Sequence, residues 1–274
     1  MKRFSVIGAG NVGINLIRSL IQRGYDFKYI YKKAKYEFFN AHLNDDIRKI
    51  VTESDFIVIS TQESKISEAA DLISHHTDPS GKIFFHTANS LTSDRLLSIK
   101  KNGGYTASFS PLQTFVDFDP AVDLFAGIYF LTEGDDRALA LAGKIARDLK
   151  ANICLVDKEE KKYLHIAAVS SSNFLISILK FAEDQLKKCD YQKASHRQDT
   201  GAPNDAGIRR KYDLALMLPL IKQTLKNVAD KGTAVSLSGP FKRKEFDVLK
   251  KHLALLNQDE AAFYNILTEY LKKE

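Results

Sequence analysis

Residues 3–33 read RFSVIGAGNVGINLIRSLIQRGYDFKYIYKK, and this stretch decides the fold. Arg3–Ile7 is an apolar run that predicts a strand. Asn11–Arg23 carries Val12, Leu16, Ile17 and Leu20 on one helical face, with Gly24 as its stop signal. Phe27–Tyr31 predicts the next strand. Between the first strand and the helix lie Gly8, Ala9, Gly10, Asn11, Val12 and Gly13. Gly8 permits a tight turn, Gly10 lets backbone approach a ligand with no Cβ in the way, and Gly13 allows the helix to pack closely on the strand. A helix that opens directly after such a turn offers unpaired N–H groups and a partial positive charge, so the turn suits a diphosphate. A lone pattern of three glycines is weak, and the strand–turn–helix–strand context is what gives it meaning.

The same alternation continues through the first half of the chain. Phe56–Ser60, Lys82–His86, Tyr105–Phe109, Ile128–Thr132 and Ile153–Val156 read as strands, and Ile66–Ser74 and Asp136–Leu149 as helices. From about Asp157 only helical periods remain: Glu159–Lys188, Leu214–Ala229, Arg243–Leu256 and Glu260–Lys272. The expectation is an α/β chain, a Rossmann-type parallel sheet domain over residues 1–156 followed by an all-α domain over 157–274. Asp190–Lys211 reads as one long loop, either a lid, a binding loop or a disordered segment.

Composition narrows the class without naming a partner. The 274 residues are 44% hydrophobic and 27% charged, with a formal charge of +6, which suits a globular protein and an anionic cofactor equally well. No stretch looks like the roughly 18 consecutive apolar residues of a membrane helix, and the apolar run after Lys2 and Arg3 is too short for a secretory signal. Cys154 and Cys189 are too few for a disulfide framework or a thiolate metal site, and no His, Cys and carboxylate group has metal-ligand spacing. The expected compartment is the cytoplasm, with neither a membrane nor nucleic acid as partner, because no basic–aromatic platform or recognition helix appears.

The end of the second strand distinguishes the two nicotinamide cofactors. A site for NAD places a carboxylate there for the ribose 2′-hydroxyl, whereas a site for NADP offers cations to the 2′-phosphate. This chain has Tyr31, Lys32 and Lys33, then Lys35, and no carboxylate before Glu37. The expected cofactor is therefore NADP, with a solvated basic turn as the plain alternative. Thr61 and Gln62 after one buried strand, and His86 after the next, lie at strand carboxyl ends, where open α/β sheets bind ligands. Each is either a cofactor contact or an ordinary polar loop residue.

Short matches in order along the chain carry a family resemblance: Ser110–Phe115, Glu133–Asp135, Tyr163–Ala168, Ser172–Phe174, Pro219–Ile221 with Asn227, and Ser238–Pro240 with Arg243 and His252. With the glycine turn, they make the chain resemble Rossmann-like NAD(P)-dependent oxidoreductases whose helical C-terminal half is known only as a domain of unknown function. That group is akin to pyrroline-5-carboxylate reductase, ketopantoate reductase and the deazaflavin-dependent NADP reductases. The resemblance implies a cofactor domain followed by a helical domain that commonly mediates dimerisation, here a homodimer. The family's His before Pro is Ser110 in this chain, and its Arg-Gly-Asp is Arg243, Lys244 and Glu245.

Hydride transfer to C=O or C=N needs a proton donor or polarising group beside the nicotinamide. In related enzymes a lysine sits one turn before an asparagine on the helix after the first domain. If Asn173 matches that asparagine, the lysine position holds Val169. His165 then becomes the candidate acid, because imidazole titrates near neutrality. His165 and Asn173 are eight residues apart, which in a regular helix gives one face and a separation of about 12 Å. His165 is alternatively a packed interdomain histidine. The function expected is NADP-dependent reduction of a small carbonyl or imine substrate, and the alternative is a non-catalytic NADP-binding sensor or regulatory module.

Overall fold

Apolar strands alternating with helices that carry one apolar face fold here as an eight-stranded sheet of order β3-β2-β1-β4-β5-β6-β7-β8. The computed structural model describes residues 2–33, 37–117, 122–196 and 212–272. The strands are β1 (Arg3–Ile7), β2 (Asp26–Tyr31), β3 (Leu43–Asn44), β4 (Phe56–Ile59), β5 (Ile83–His86), β6 (Tyr105–Pro111), β7 (Tyr129–Gly134) and β8 (Asn152–Leu155). Helices α1 (Asn11–Gln22), α2 (Ile47–Glu53), α3 (Ile66–His76), α4 (Leu97–Lys101) and α5 (Asp136–Asp148) connect them. The expected parallel sheet needs one correction: β7 runs antiparallel to β6, pairing Ser108 with Glu133 and Ser110 with Leu131. The chain between β6 and β7 contains no described helix that would carry it back across the sheet, and a parallel partner requires such a crossover.

Both faces of the sheet are covered, which is why its strands read as nearly continuous apolar runs. One face packs Phe4, Val6, Phe56, Val58, Phe85 and Phe109 against Ile14, Ile17 and Leu20 of α1 and Leu141 and Ile145 of α5. The other packs Ile57, Ile59 and Phe84 against Val51, Ile66, Ala70, Ile73 and Ile99 of α2 to α4. Register aligns Ile7 with Ile59, Ile59 with His86, and His86 with Ser108. The carboxyl ends of β1, β4, β5 and β6 therefore form one row.

The second half is helical: α6 (Lys158–Val169), a π-helical turn at Ser170–Phe174, α7 (Leu175–His196), α8 (Leu218–Lys231), α9 (Thr233–Ser236), α10 (Gly239–Arg243), α11 (Phe246–Leu253) and α12 (Gln258–Leu271). The chain forms two compact units, residues 1–172 and 173–274, so α6 counts with the sheet. Two local features explain that attachment. Asp157 and Glu160 form a reciprocal capping box at the start of α6, and Lys158 pairs with Asp94 of the 3-10 turn Ser93–Leu96. In the second unit, Phe181 packs on Phe263 and Tyr264, and Lys188 pairs with Glu260, joining α7 to α12.

Three local expectations differ from the fold. The helix read as Arg243–Leu256 is broken, because Lys244 adopts a left-handed φ of 57° and α11 starts afresh after Glu245. Of the long loop read at 190–211, residues 190–196 continue α7, and 197–211 lie outside those described. The helical run Lys158–Cys189 also contains an 18-residue window of mean hydropathy 1.4, long and apolar enough by composition to cross a membrane. Alanines and serines interrupt the bulky residues there, so no uninterrupted apolar block marks it in the sequence.

Candidate functional site

At the turn after β1, Gly8 has φ +90°, and a Cβ there would lie 2.7 Å from both the Ser60 carbonyl oxygen and Thr61 Cγ2. A Cβ on Gly13 would lie 2.5 Å from the Gly8 carbonyl oxygen. Both positions are closed to side chains by backbone. Gly10 is the opposite case, since a Cβ there meets nothing within 4 Å. Gly10 is also the N-cap of α1, which receives no side-chain cap and has no acidic residue in its first turn. No side chain of its own first turn thus neutralises the helix end's positive partial charge at the point where strand order reverses between β1 and β4. A dinucleotide diphosphate fits these residues. Ala9 is buried, and the side chain of Asn11 donates to the carbonyls of Phe115 (2.8 Å) and Val116 (2.6 Å), which draws the segment after β6 over the start of α1.

Tyr31 ends β2 and Lys32 follows with φ 63°; its ammonium lies over the Tyr31 ring, 5.0 Å from the centroid. The Lys32 N–H donates to the Asn44 carbonyl and that of Lys33 to the Tyr31 carbonyl. Two exposed ammonium groups therefore stand beyond the strand end, the setting a 2′-phosphate requires. Lys35 lies outside the described residues. Thr61 borders Gly8, and Gln62 is exposed at the N-cap of the 3-10 turn Glu63–Lys65.

The carboxyl ends of β5 and β6 hold a group of buried polar residues that sequence reading did not assemble. Lys161, in the second turn of α6, is only 1% exposed. Its Nζ donates to Ser110 Oγ at 3.3 Å and lies 3.9 Å from Glu133 Oε1. Glu133 accepts from the Ser93 N–H at 2.6 Å and from Ser93 Oγ at 2.7 Å. Ser110 Oγ donates to the Ala88 carbonyl, and Asn89 Nδ2 donates to the Pro111 carbonyl, so the ends of β5 and β6 are cross-linked. Burial pushes the Lys161 ammonium down to about 8, against the opposing attraction of Glu133 and Glu63.

His86 is fully buried; neither ring nitrogen makes a well-formed hydrogen bond among the described residues, and only a weak contact with the Thr92 backbone favours its charged form. Burial first, and the Lys161 charge second, hold its imidazole down to about 3, so the ring is neutral. Asn89 Oδ1, Ser90 Oγ, Ser108 Oγ and His165 Nδ1 are likewise buried and unpartnered. Such groups call for polar partners, and those of His86, Asn89, Ser90 and Ser108 lie on or just after β5 and β6. His165 lies one turn after Lys161 on α6, and residues four apart share a helical face. Asn173 falls in the π-helical turn and opens the second unit. The regular spacing from which a shared face with His165 was expected is interrupted there.

Fold and site together define a Rossmann-type α/β chain with an appended helical unit. Its residues 128–271 match the family model described as Domain of unknown function (DUF2520), and the chain belongs to that family. No curated protein matches it in sequence. Solved structures share the fold across both units. A Bacteroides fragilis protein with a provisional NADP oxidoreductase assignment is 23% identical, with TM-score 0.76 over 100% of this chain and 98% of that one. A Thermotoga maritima protein is 20% identical, with TM-score 0.68 over 98% and 97%. The pyrroline carboxylate reductase of Plasmodium falciparum, solved with NADP bound, is 10% identical, with TM-score 0.60 over 98% of each chain.

Proposed function

We propose that this protein is an NADP-dependent oxidoreductase that reduces a small carbonyl or imine compound. The observation that carries the reading is the uncapped start of α1 beside Gly10, open where Gly8 and Gly13 are closed. Lys32 and Lys33 support the 2′-phosphate and hence NADP over NAD. The fold's likeness to structures solved with NADP or NADPH, and to an imine reductase of Myxococcus stipitatus solved with NAD+, supports a nicotinamide cofactor without choosing between the two. A bound nicotinamide would supply hydride; the chain's own residues bind the diphosphate, fix the 2′-phosphate and provide a proton. His165, with its buried Nδ1 on the Lys161 face of α6, is a polarising candidate, and Asn173 is the candidate for orienting the nicotinamide amide or substrate.

The test is calorimetric titration with NADPH and NADH, followed by a panel of small ketones, aldehydes and cyclic imines. NADPH is expected to bind more tightly, and equal or absent binding of both refutes the cofactor assignment. A sensor or regulatory role is the second reading, favoured by Val169 at the position where related enzymes carry a lysine. It is preferred if NADPH binds and the panel gives no turnover.

The partner we infer is a second copy of the chain. In the helical unit Phe174, Ile176, Leu220 and Leu255 are 58%, 62%, 65% and 78% exposed, and exposed apolar side chains of this size suit burial in a homodimer; the compartment we propose is the cytoplasm. Light scattering after gel filtration is expected to give twice the monomer mass, and Leu220→Asp to reduce it to one.

A further inference from the structure

Among the described residues, Lys161 stands apart from the other lysines of its helix. Lys158 and Lys162 are 53% and 62% exposed and pair with Asp94 and Glu159. Lys161 is enclosed, its charge is compensated by Glu133 at 3.9 Å and, more weakly, by Glu63, and its hydrogen bond goes to a hydroxyl at the carboxyl end of β6. Burying an ammonium is expensive, and a purely structural position would be served as well by an apolar side chain. His86 and Ser108, aligned on the neighbouring strands β5 and β6, are likewise buried with unpartnered polar atoms, so this interior holds several polar groups in need of partners.

We infer that Lys161 and Ser110 form the proton-delivering pair of the reaction: the ammonium, acting through the Ser110 hydroxyl, supplies the proton taken up by the oxygen or nitrogen of the reduced bond. The inference rests on the oxidoreductase reading above. When hydride adds to the carbon of C=O or C=N, the π electron pair moves to the heteroatom. Ser110 is fully buried with its hydroxyl on the Ala88 carbonyl, so the site must open for the substrate to reach it; Ser110 then turns from that carbonyl, gives the heteroatom its proton and receives one from Lys161. Lys161 is left neutral until solvent reprotonates it. Ser110 is the catalytic residue in this scheme, and Lys161 positions and recharges it. The charged and titratable groups facing Lys161 are Glu133 from β7, Glu63 from the turn after β4, and the neutral His86 from β5, with Arg95 beyond it. The burial that lowers the lysine to about 8 places proton loss near working pH, where a proton donor is most effective.

The first experiment uses the cofactor-free protein. Lysine-selective 13C NMR, assigned with Lys161→Met, is expected to show one lysine titrating near pH 8, about two units below the surface lysines. Ser110→Ala is expected to move that midpoint alone. A Lys161 that titrates with the surface lysines, or ignores Ser110→Ala, overturns the inference. The second uses NADPH and any compound the panel shows to be reduced. Wild-type kcat is expected to fall about tenfold per pH unit above the Lys161 midpoint, because the donor must be protonated. Lys161→Met and Ser110→Ala are expected to lower kcat by about 10²-fold or more. Their NADPH affinity should stay within threefold of wild type, and Ser110→Thr should recover most of the rate. Should Lys161→Met fail to fold, Lys161→Arg replaces it and is expected to give a slow reaction with a flat alkaline profile. A Lys161 variant with wild-type kcat overturns the proton assignment alone, whereas absence of NADPH binding or of any turnover overturns the oxidoreductase reading beneath it.

Discussion

Exchanging Gly10 and Gly13 for alanine, one at a time, separates the ligand-facing glycine from the packing glycine of the same turn. A methyl on Gly13 would sit 2.5 Å from the Gly8 carbonyl oxygen and 3.4 Å from Ser60 Cβ. The near atom is backbone, so either the start of α1 or the end of β1 must shift. Overpacking of this kind costs about 1–3 kcal/mol, partly offset by about 1 kcal/mol from the better helix propensity of alanine. The net cost is up to about 2 kcal/mol, so Gly13→Ala should lower Tm by up to about 8 °C at about 2–4 °C per kcal/mol. At Gly10 the added methyl meets nothing within 4 Å, and the backbone φ of −77° suits any residue, so Tm should stay within about 2 °C of wild type. The same methyl occupies the nearest approach of a diphosphate to the amides of α1. Losing one charge-assisted contact of about 1.5–3 kcal/mol weakens NADPH about 10- to 100-fold. Differential scanning calorimetry reads the first quantity and isothermal titration the second. Gly10→Ala with NADPH affinity within twofold of wild type would refute the idea that the diphosphate meets the protein here.

Lys32→Ala and Lys33→Ala are expected to weaken NADPH by about fivefold each, roughly 1 kcal/mol per exposed cation, while NADH changes less than twofold; equal losses for both cofactors in titration would place the lysines elsewhere. The His86 imidazole is held at about 3 in the fold against an ordinary 6.5, so the unfolded chain binds the extra proton between those values. Stability from this residue is thus complete above pH 6.5 and is lost as pH falls toward 3, by at most about 1.4 kcal/mol per unit; urea melts at pH 7 and 5 should show a steeper loss in wild type than in His86→Gln. Truncating Asn11 to alanine frees the Phe115 and Val116 carbonyls, and proteolysis of the segment after β6 should accelerate severalfold with little change in Tm.

The sequence settled what depends on local pattern. Strand and helix periods, the spacing of Gly8, Gly10 and Gly13, and the lysines after β2 each follow from a few neighbouring residues, because turn geometry, helix ends and strand alternation are short-range constraints. The antiparallel β7 was illegible, since hydrogen-bond direction depends on how the chain returns to the sheet. The broken helix at Lys244 shows the same limit: a left-handed residue costs too little to announce itself in composition.

The proton-bearing cluster belongs to tertiary structure for a sharper reason. Glu159, Glu160, Lys161 and Lys162 read as one charged run, with Lys161 four residues before His165 as the sole hint. Lys162 faces water beside Glu159, and Lys161, one residue away, turns through about 100° into the protein beside Glu133 and Ser110. Residue type fixed the charge of both. Only the placement of α6 beside Ser110 of β6 and Glu133 of β7 decided which of the two would lose its water, and desolvation is what makes a lysine's proton available near neutral pH.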